Sequence, residues 1–125
     1  MTEQVTLTIT NGRLEGHEYG LDEPRQYLIG RGEDCDLRLP REPGPLDISR
    51  HHCLLELGPD GVTVADLGSL HGTYVNGELI GQRPAGILAE QASADASRKH
   101  ALHDGDELVV GNLFLRVGVH ALQPA

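Results

Sequence analysis

Apolar and polar positions alternate with a period of two in short runs along most of the chain. Val5, Leu7 and Ile9 are separated by Thr6 and Thr8, so an extended segment here has one apolar face and one polar face. Strand character recurs at residues 16–21, at 25–29 running into Gly30-Arg31-Gly32, at 36–39, at 48–57, at 62–67 and at 73–75. It returns at 107–110 and 113–119. Asn11-Gly12, Gly58-Pro59-Asp60-Gly61, Asn76-Gly77, Asp104-Gly105 and Gly111-Asn112 punctuate these runs with turn chemistry. Asn76-Gly77 is the pair that a type I′ hairpin demands, because both central residues need positive φ. Roughly nine or ten short strands at spacings near ten residues predict an all-β sandwich.

Two stretches break the rhythm. Residues 40–47 hold Pro40, Pro43, Pro45 and Gly44, which forbid helix and interior strand. Residues 87–99 are rich in alanine and good helix formers with a thin apolar face. They read as a short helix or a mobile insertion within an insertion near residues 82–100. Residues 121–125 read as a tail or the start of a linker after a single domain over 1–120.

Composition narrows the function classes. At 125 residues the chain has the length of one domain and can bury a core without disulfides or metal. Ten Lys and Arg against nineteen Asp and Glu give a net charge of -9, which repels a polyanion such as duplex DNA, so any phosphate site must be local. One Phe, three Tyr and no Trp leave few platforms for stacking single-stranded nucleic acid. No apolar run approaches the roughly 18 residues of a membrane helix. Cys35 and Cys53 lack C-x-x-C spacing, and the first residues lack a basic and apolar leader. That pattern reads as a reduced, cytoplasmic protein with two thiols, a disulfide between them being the alternative.

Chemistry concentrates in three segments that adjoin strands. Gly30-Arg31-Gly32 offers a guanidinium between glycines, Ser49-Arg50 a hydroxyl and a second guanidinium, and Gly68-Ser69-Leu70-His71-Gly72 two polar side chains and exposed amides. Loops of a sandwich gather at its two ends, so all three can converge on one anion. Zinc is the rival for His51-His52-Cys53 with His71, but strand alternation would split the first three between faces and no standard ligand spacing occurs. Ser49 near His52 is the sole nucleophile and base pair on offer, with no evident oxyanion arrangement and only Asp47 to orient the base. An enzyme is therefore not expected, nor is a cofactor.

Gly30-Arg31, then Ser49-Arg50-His51-His52, then the run from Asp66 to Gly77 resemble the Gly-Arg, Ser-Arg-x-His and Ser-x-x-Gly-Thr-x-x-Asn-Gly elements of the forkhead-associated (FHA) domain family. The order and spacing hold from Val5 to about Val119. The resemblance implies an eleven-stranded β-sandwich of the FHA/SMAD-like type whose loops at one end bind a phosphothreonine peptide. It implies Arg31 and Ser49 as phosphate ligands and Arg50 as a secondary contact, with Ser69, Leu70 and His71 completing the peptide-binding set. Gly30, His52, Gly72, Thr73, Asn76 and Gly77 form the loop scaffold. The pattern commonly has Ser or Thr where this chain has Leu70, and Asn where it has His71. Leu70 thus offers only its backbone N–H, and His71 replaces one donor of an amide but not its donor and acceptor pair. The function implied is a phosphothreonine-dependent interaction module in Ser/Thr kinase signalling, without nucleic acid or membrane as partner. The alternative is a phosphorylation-independent interaction or self-assembly domain on the same scaffold.

Overall fold

A computed structural model describes residues 3–12, 14–39, 48–59, 61–83 and 99–121. Eleven strands occur among them: β1 (Glu3–Ile9), β2 (Glu18–Leu21), β3 (Gln26–Gly30), β4 (Leu37–Arg38), β5 (Cys53–Gly58), β6 (Gly61–Asp66), β7 (Thr73–Val75), β8 (Glu78–Gly81), β9 (His100–Leu102), β10 (Glu107–Val110) and β11 (Leu113–Ala121). They form a six-stranded sheet in the order β2-β1-β11-β10-β7-β8 and a five-stranded sheet in the order β4-β3-β5-β6-β9. Neighbours are antiparallel except β3 and β4.

Alternation decides which residues face inward. Val5, Leu7 and Ile9 of β1, Leu55 and Leu57 of β5, Leu108 and Val110 of β10, and Leu115 and Val117 of β11 fill one core between the sheets. Each such side chain contributes about 1.5–3 kcal/mol relative to exposure. The hairpin between β7 and β8 turns through Asn76 and Gly77 at φ 51° and 84°, the left-handed pair that type I′ geometry requires.

Two differences from the sequence reading stand out. Residues 48–52 are irregular and the strand begins only at Cys53, because Ser49 N–H donates to His52 Nδ1 (3.1 Å) instead of to a strand neighbour. His51 and His52 still part company, the first exposed and the second fully buried. At the end of the expected insertion, His100–Leu102 forms β9, pairing with β6 from Val62 to Val64. The helix expected over 87–99 falls almost wholly outside the described residues, as do residues 40–47 and 122–125.

Candidate functional site

The loop after β3, the segment before β5 and the loop between β6 and β7 meet at one end of the sandwich. Arg31 N–H donates to Ser49 O (3.2 Å) and Gly32 N–H to Arg50 O (3.1 Å), so the first two segments run side by side. A side chain at Gly30 would overlap the Arg50 carbonyl; glycine is required there by this close approach of two backbones. Leu70 N–H donates to Ser49 Oγ (3.0 Å), which brings in the third loop. Arg31 and Ser49, the first two expected ligands, therefore share one rim.

Arg31 is held from behind. Its Nε donates to Ile48 O (2.8 Å), which fixes the plane of the guanidinium and leaves both terminal nitrogens uncommitted among the described residues. A planar fork so anchored suits two oxygens of one anion, which an ammonium group cannot match. Arg50 is exposed beside it. Ser49 Oγ already accepts from Leu70 N–H, so its own proton is what it has to give. The Leu70 amide, expected to be the one donor that residue keeps, is thus engaged within the site, and its side chain stands 51% exposed on the rim. His71 is exposed next to it.

Ser69 occupies a different place from the one expected. It is 0% exposed; its Oγ donates to Asp66 Oδ1 and accepts from Gly72 N–H (3.0 Å). It holds the loop in shape and presents no side chain to the rim. Thr73, equally buried, donates from Oγ1 to the same Asp66 oxygen (2.7 Å). The second Asp66 oxygen accepts from the Gly68 and Ser69 amides at 2.9 and 3.0 Å. Asp66 is the hub that sequence reasoning missed. An Asp two or three residues ahead of a Gly-Ser pair is an Asx-turn signal that could have pointed to it.

Arg83 and Gln82 were missed as well. Arg83 donates from Nε to Gly68 O (3.1 Å) and from its backbone N–H to Ser69 O (2.6 Å), while Gln82 Nε2 donates to Leu70 O (2.8 Å).

His52 joins the loops through the interior. With Ser49 N–H donating to Nδ1, that nitrogen carries no proton, and Nε2–H donates to Gly72 O at 2.8 Å. The ring is neutral and fully buried; burial pushes its pKa below the usual histidine range, against the opposing pull of the Gly72 carbonyl. Behind Arg50, Asp34 takes His51 Nε2 at 2.9 Å on each oxygen, and this bond lowers its pKa.

The same residues decide the family. The FHA-domain family model matches residues 27–111. The chain belongs to the FHA-domain family. It is 35% identical over 104 residues to the ABC transporter ATP-binding/permease protein Rv1747 of Mycobacterium tuberculosis, a match covering 83% of this chain and 9% of that protein. The chain thus spans a small part of that relative. A structure described as a structural and functional analysis of phosphothreonine-dependent FHA domain interactions superposes with a TM-score of 0.70 at 28% identity, covering 95% of this chain and 99% of that one. The FhaA FHA domain complexed with the intracellular domain of Rv3910 superposes at 0.65 and 28% identity, covering 90% of this chain and 98% of that one.

Proposed function

We propose that this FHA domain binds phosphothreonine on a partner protein and so reads the product of a Ser/Thr kinase, without catalysing a reaction itself. The observation that carries the reading is the anchored Arg31 fork beside the Ser49 hydroxyl, on a rim built from three loops. Phosphothreonine brings about -1.5 to -2 charge and three acceptor oxygens. Arg31 takes two oxygens and Ser49 the third, with Arg50 adding charge from the solvent side. Each charge-assisted bond is worth roughly 1.5–3 kcal/mol, enough for a modest peptide affinity. Similarity to the FHA structures of phosphothreonine-dependent interactions supports the assignment. The residues in direct contact are Arg31, Ser49, Arg50, Leu70 and His71, with Ser69 acting through the loop.

Calorimetric titration of a peptide library with phosphothreonine at its centre tests this. Arg31→Ala removes two charge-assisted bonds, about 3 kcal/mol or more, and lowers affinity at least about 100-fold, while circular dichroism keeps its β signature. Equal affinity for phosphorylated and unphosphorylated peptide would refute the reading and favour phosphorylation-independent association, for which the loss of a hydroxyl at Leu70 is the specific motive.

A further inference from the structure

The chain contains one Phe and three Tyr, and two of these four rings lie on the outer face of the six-stranded sheet. The pairing registers place Phe114 opposite Val109, Val109 opposite Tyr74, and Tyr74 opposite Leu79. Directly paired residues point to the same face, and their strand neighbours Leu108, Val110, Val75, Leu113 and Leu115 fill the core. Leu79, Tyr74, Val109 and Phe114 therefore make one apolar row across four strands, facing away from the core. Its two ends are open, Phe114 being 37% and Leu79 47% exposed, while Tyr74 is half-buried and Val109 between the two rings is covered at 7%. A soluble chain with so few rings gains nothing in its core from placing its single Phe outside, and aromatic and Leu side chains in a contiguous row mark interaction surfaces.

The row adjoins the phosphate rim. A Cβ on Gly72 would meet Leu79 Cδ1 at 2.8 Å and Tyr74 Cε1 at 3.2 Å, so those two side chains lean over the glycine that ends the recognition loop. Gly72 O accepts from Gly111 N–H (3.2 Å) in the turn that leads to Phe114. It also accepts from His52, which contacts Ser49 in turn. The far end is rigid: Phe114 N–H donates to Asn11 Oδ1 (3.0 Å) and Thr10 N–H to Phe114 O (2.9 Å). Leu70, the third exposed large apolar side chain, stands on the rim itself.

We propose that this row receives apolar residues flanking the phosphothreonine in the same partner chain, so that recognition extends from the rim onto the outer sheet face. The inference rests on the phosphothreonine reading above. A second copy of this chain fits less well, since two bodies of charge -9 repel and only the flank is delivered here by the phosphate. Glu107 and Arg116, paired beside the row, supply the polar border expected of an interface. Strands about 4.8 Å apart make the row roughly 14 Å long, and an extended peptide at about 3.3 Å per residue crosses it in about five residues. Allowing for the step down from the rim, a flank of about eight to ten residues is required.

The test compares a seven-residue phosphothreonine peptide with peptides carrying twelve randomised residues on each side, selected on the wild-type domain. Selected long peptides should carry apolar residues in one flank and bind at least about tenfold tighter than the short one. Leu79→Lys with Phe114→Lys, both on exposed positions, should abolish that gain and leave the affinity of the short peptide unchanged. No gain from length, or a gain that survives the double substitution, overturns the inference while sparing the phosphothreonine reading. Failure of even the short peptide overturns both. A dimer in sedimentation that the double variant disperses without touching the long-peptide gain assigns the row to a second copy and likewise overturns it.

Discussion

His52 offers a sharp test of how the site is built. Replacing it with Ala leaves the part-buried Ser49 N–H without its acceptor, a cost toward the lower end of the range of about 1–3 kcal/mol for an unsatisfied buried donor. Gly72 O keeps the Gly111 amide, so the second lost bond costs only its net value of about 0.5–1.5 kcal/mol. The ring is fully buried, and the cavity it leaves adds to both. The expected loss is about 3–5 kcal/mol, a large part of the 5–15 kcal/mol typical of a domain. With a urea dependence of about 1–3 kcal/mol per molar, the midpoint falls by about 2 M. The chain has no Trp, so far-UV circular dichroism is the suitable signal. Acidification supplies a second arm. Burial depresses the folded-state pKa of His52, whereas the unfolded chain binds that proton near pH 6.5. Below about pH 6.5 the unfolded state therefore holds more protons, and stability falls as pH falls toward the lowered folded-state pKa, by at most about 1.4 kcal/mol per pH unit. Above that window the contribution is fully present. Paired aspartates such as Asp34, whose pKa is also lowered, lose stability only below about pH 4. A loss under about 1 kcal/mol in His52→Ala, or a wild-type stability that rises between pH 7 and pH 5, would refute this account.

Three other substitutions or reagents probe the same architecture. Gly30→Ala forces a methyl group into the Arg50 carbonyl and to 2.9 Å from Ser49 O; stability should fall by about 2 kcal/mol or more and phosphopeptide affinity with it, read by urea unfolding and titration. Asp66→Asn leaves one acceptor oxygen for four donors. It should cost about 2–4 kcal/mol and weaken phosphopeptide binding without touching ligand, with amide exchange quickened across 68–73. Burial raises the pKa of both thiols, Cys53 being fully enclosed and Cys35 half-buried. An aromatic disulfide reagent should modify Cys35 slowly and Cys53 only after denaturation; equal rates in the native protein would contradict this packing.

Strands and hairpins were legible because alternation and turn residues are local signals. Val5, Leu7 and Ile9 face the core as their spacing requires, and Asn76 takes the positive φ that its dipeptide demands. The convergence of the Arg31, Ser49 and Gly68–Gly72 segments followed from the gathering of loops at one end of a sandwich, whereas the scaffold role of His52 was implied only by the resemblance to the FHA family. Three features were not legible. The segment 48–52 has strand-like composition, yet the Ser49 amide turns inward to His52, a contact that no periodicity announces. β9 begins at His100, just beyond the residues 87–99 where a helix was expected, and its pairing with β6 is a long-range contact that no local alternation announces. Ser69 reads as a surface hydroxyl until the loop folds over Asp66 and encloses it. Hydrogen bonds from side chain to loop backbone decide such placements, and they leave no repeating trace in sequence.

The strong negative charge of the chain and a site for a dianion are reconciled by where the nearby carboxylates point. Asp66 aims both oxygens at the inner side of the recognition loop, where two amides and two hydroxyls receive them. Asp34 is capped by His51, and Asp36 by the Leu28 amide (2.8 Å) and Arg25 (3.1 Å). These three acids thus brace the loops with their charge met by donors, while Glu33, in the Arg31 loop, is exposed to solvent and the terminal nitrogens of Arg31 are uncommitted among the described residues. Charges farther away act through water and salt, where screening over about 8–10 Å removes most of their repulsion. The carboxylates that give the loops their shape are therefore occupied by donors of the loops themselves, so the acidity of the whole chain disfavours polyanions without blocking one phosphate.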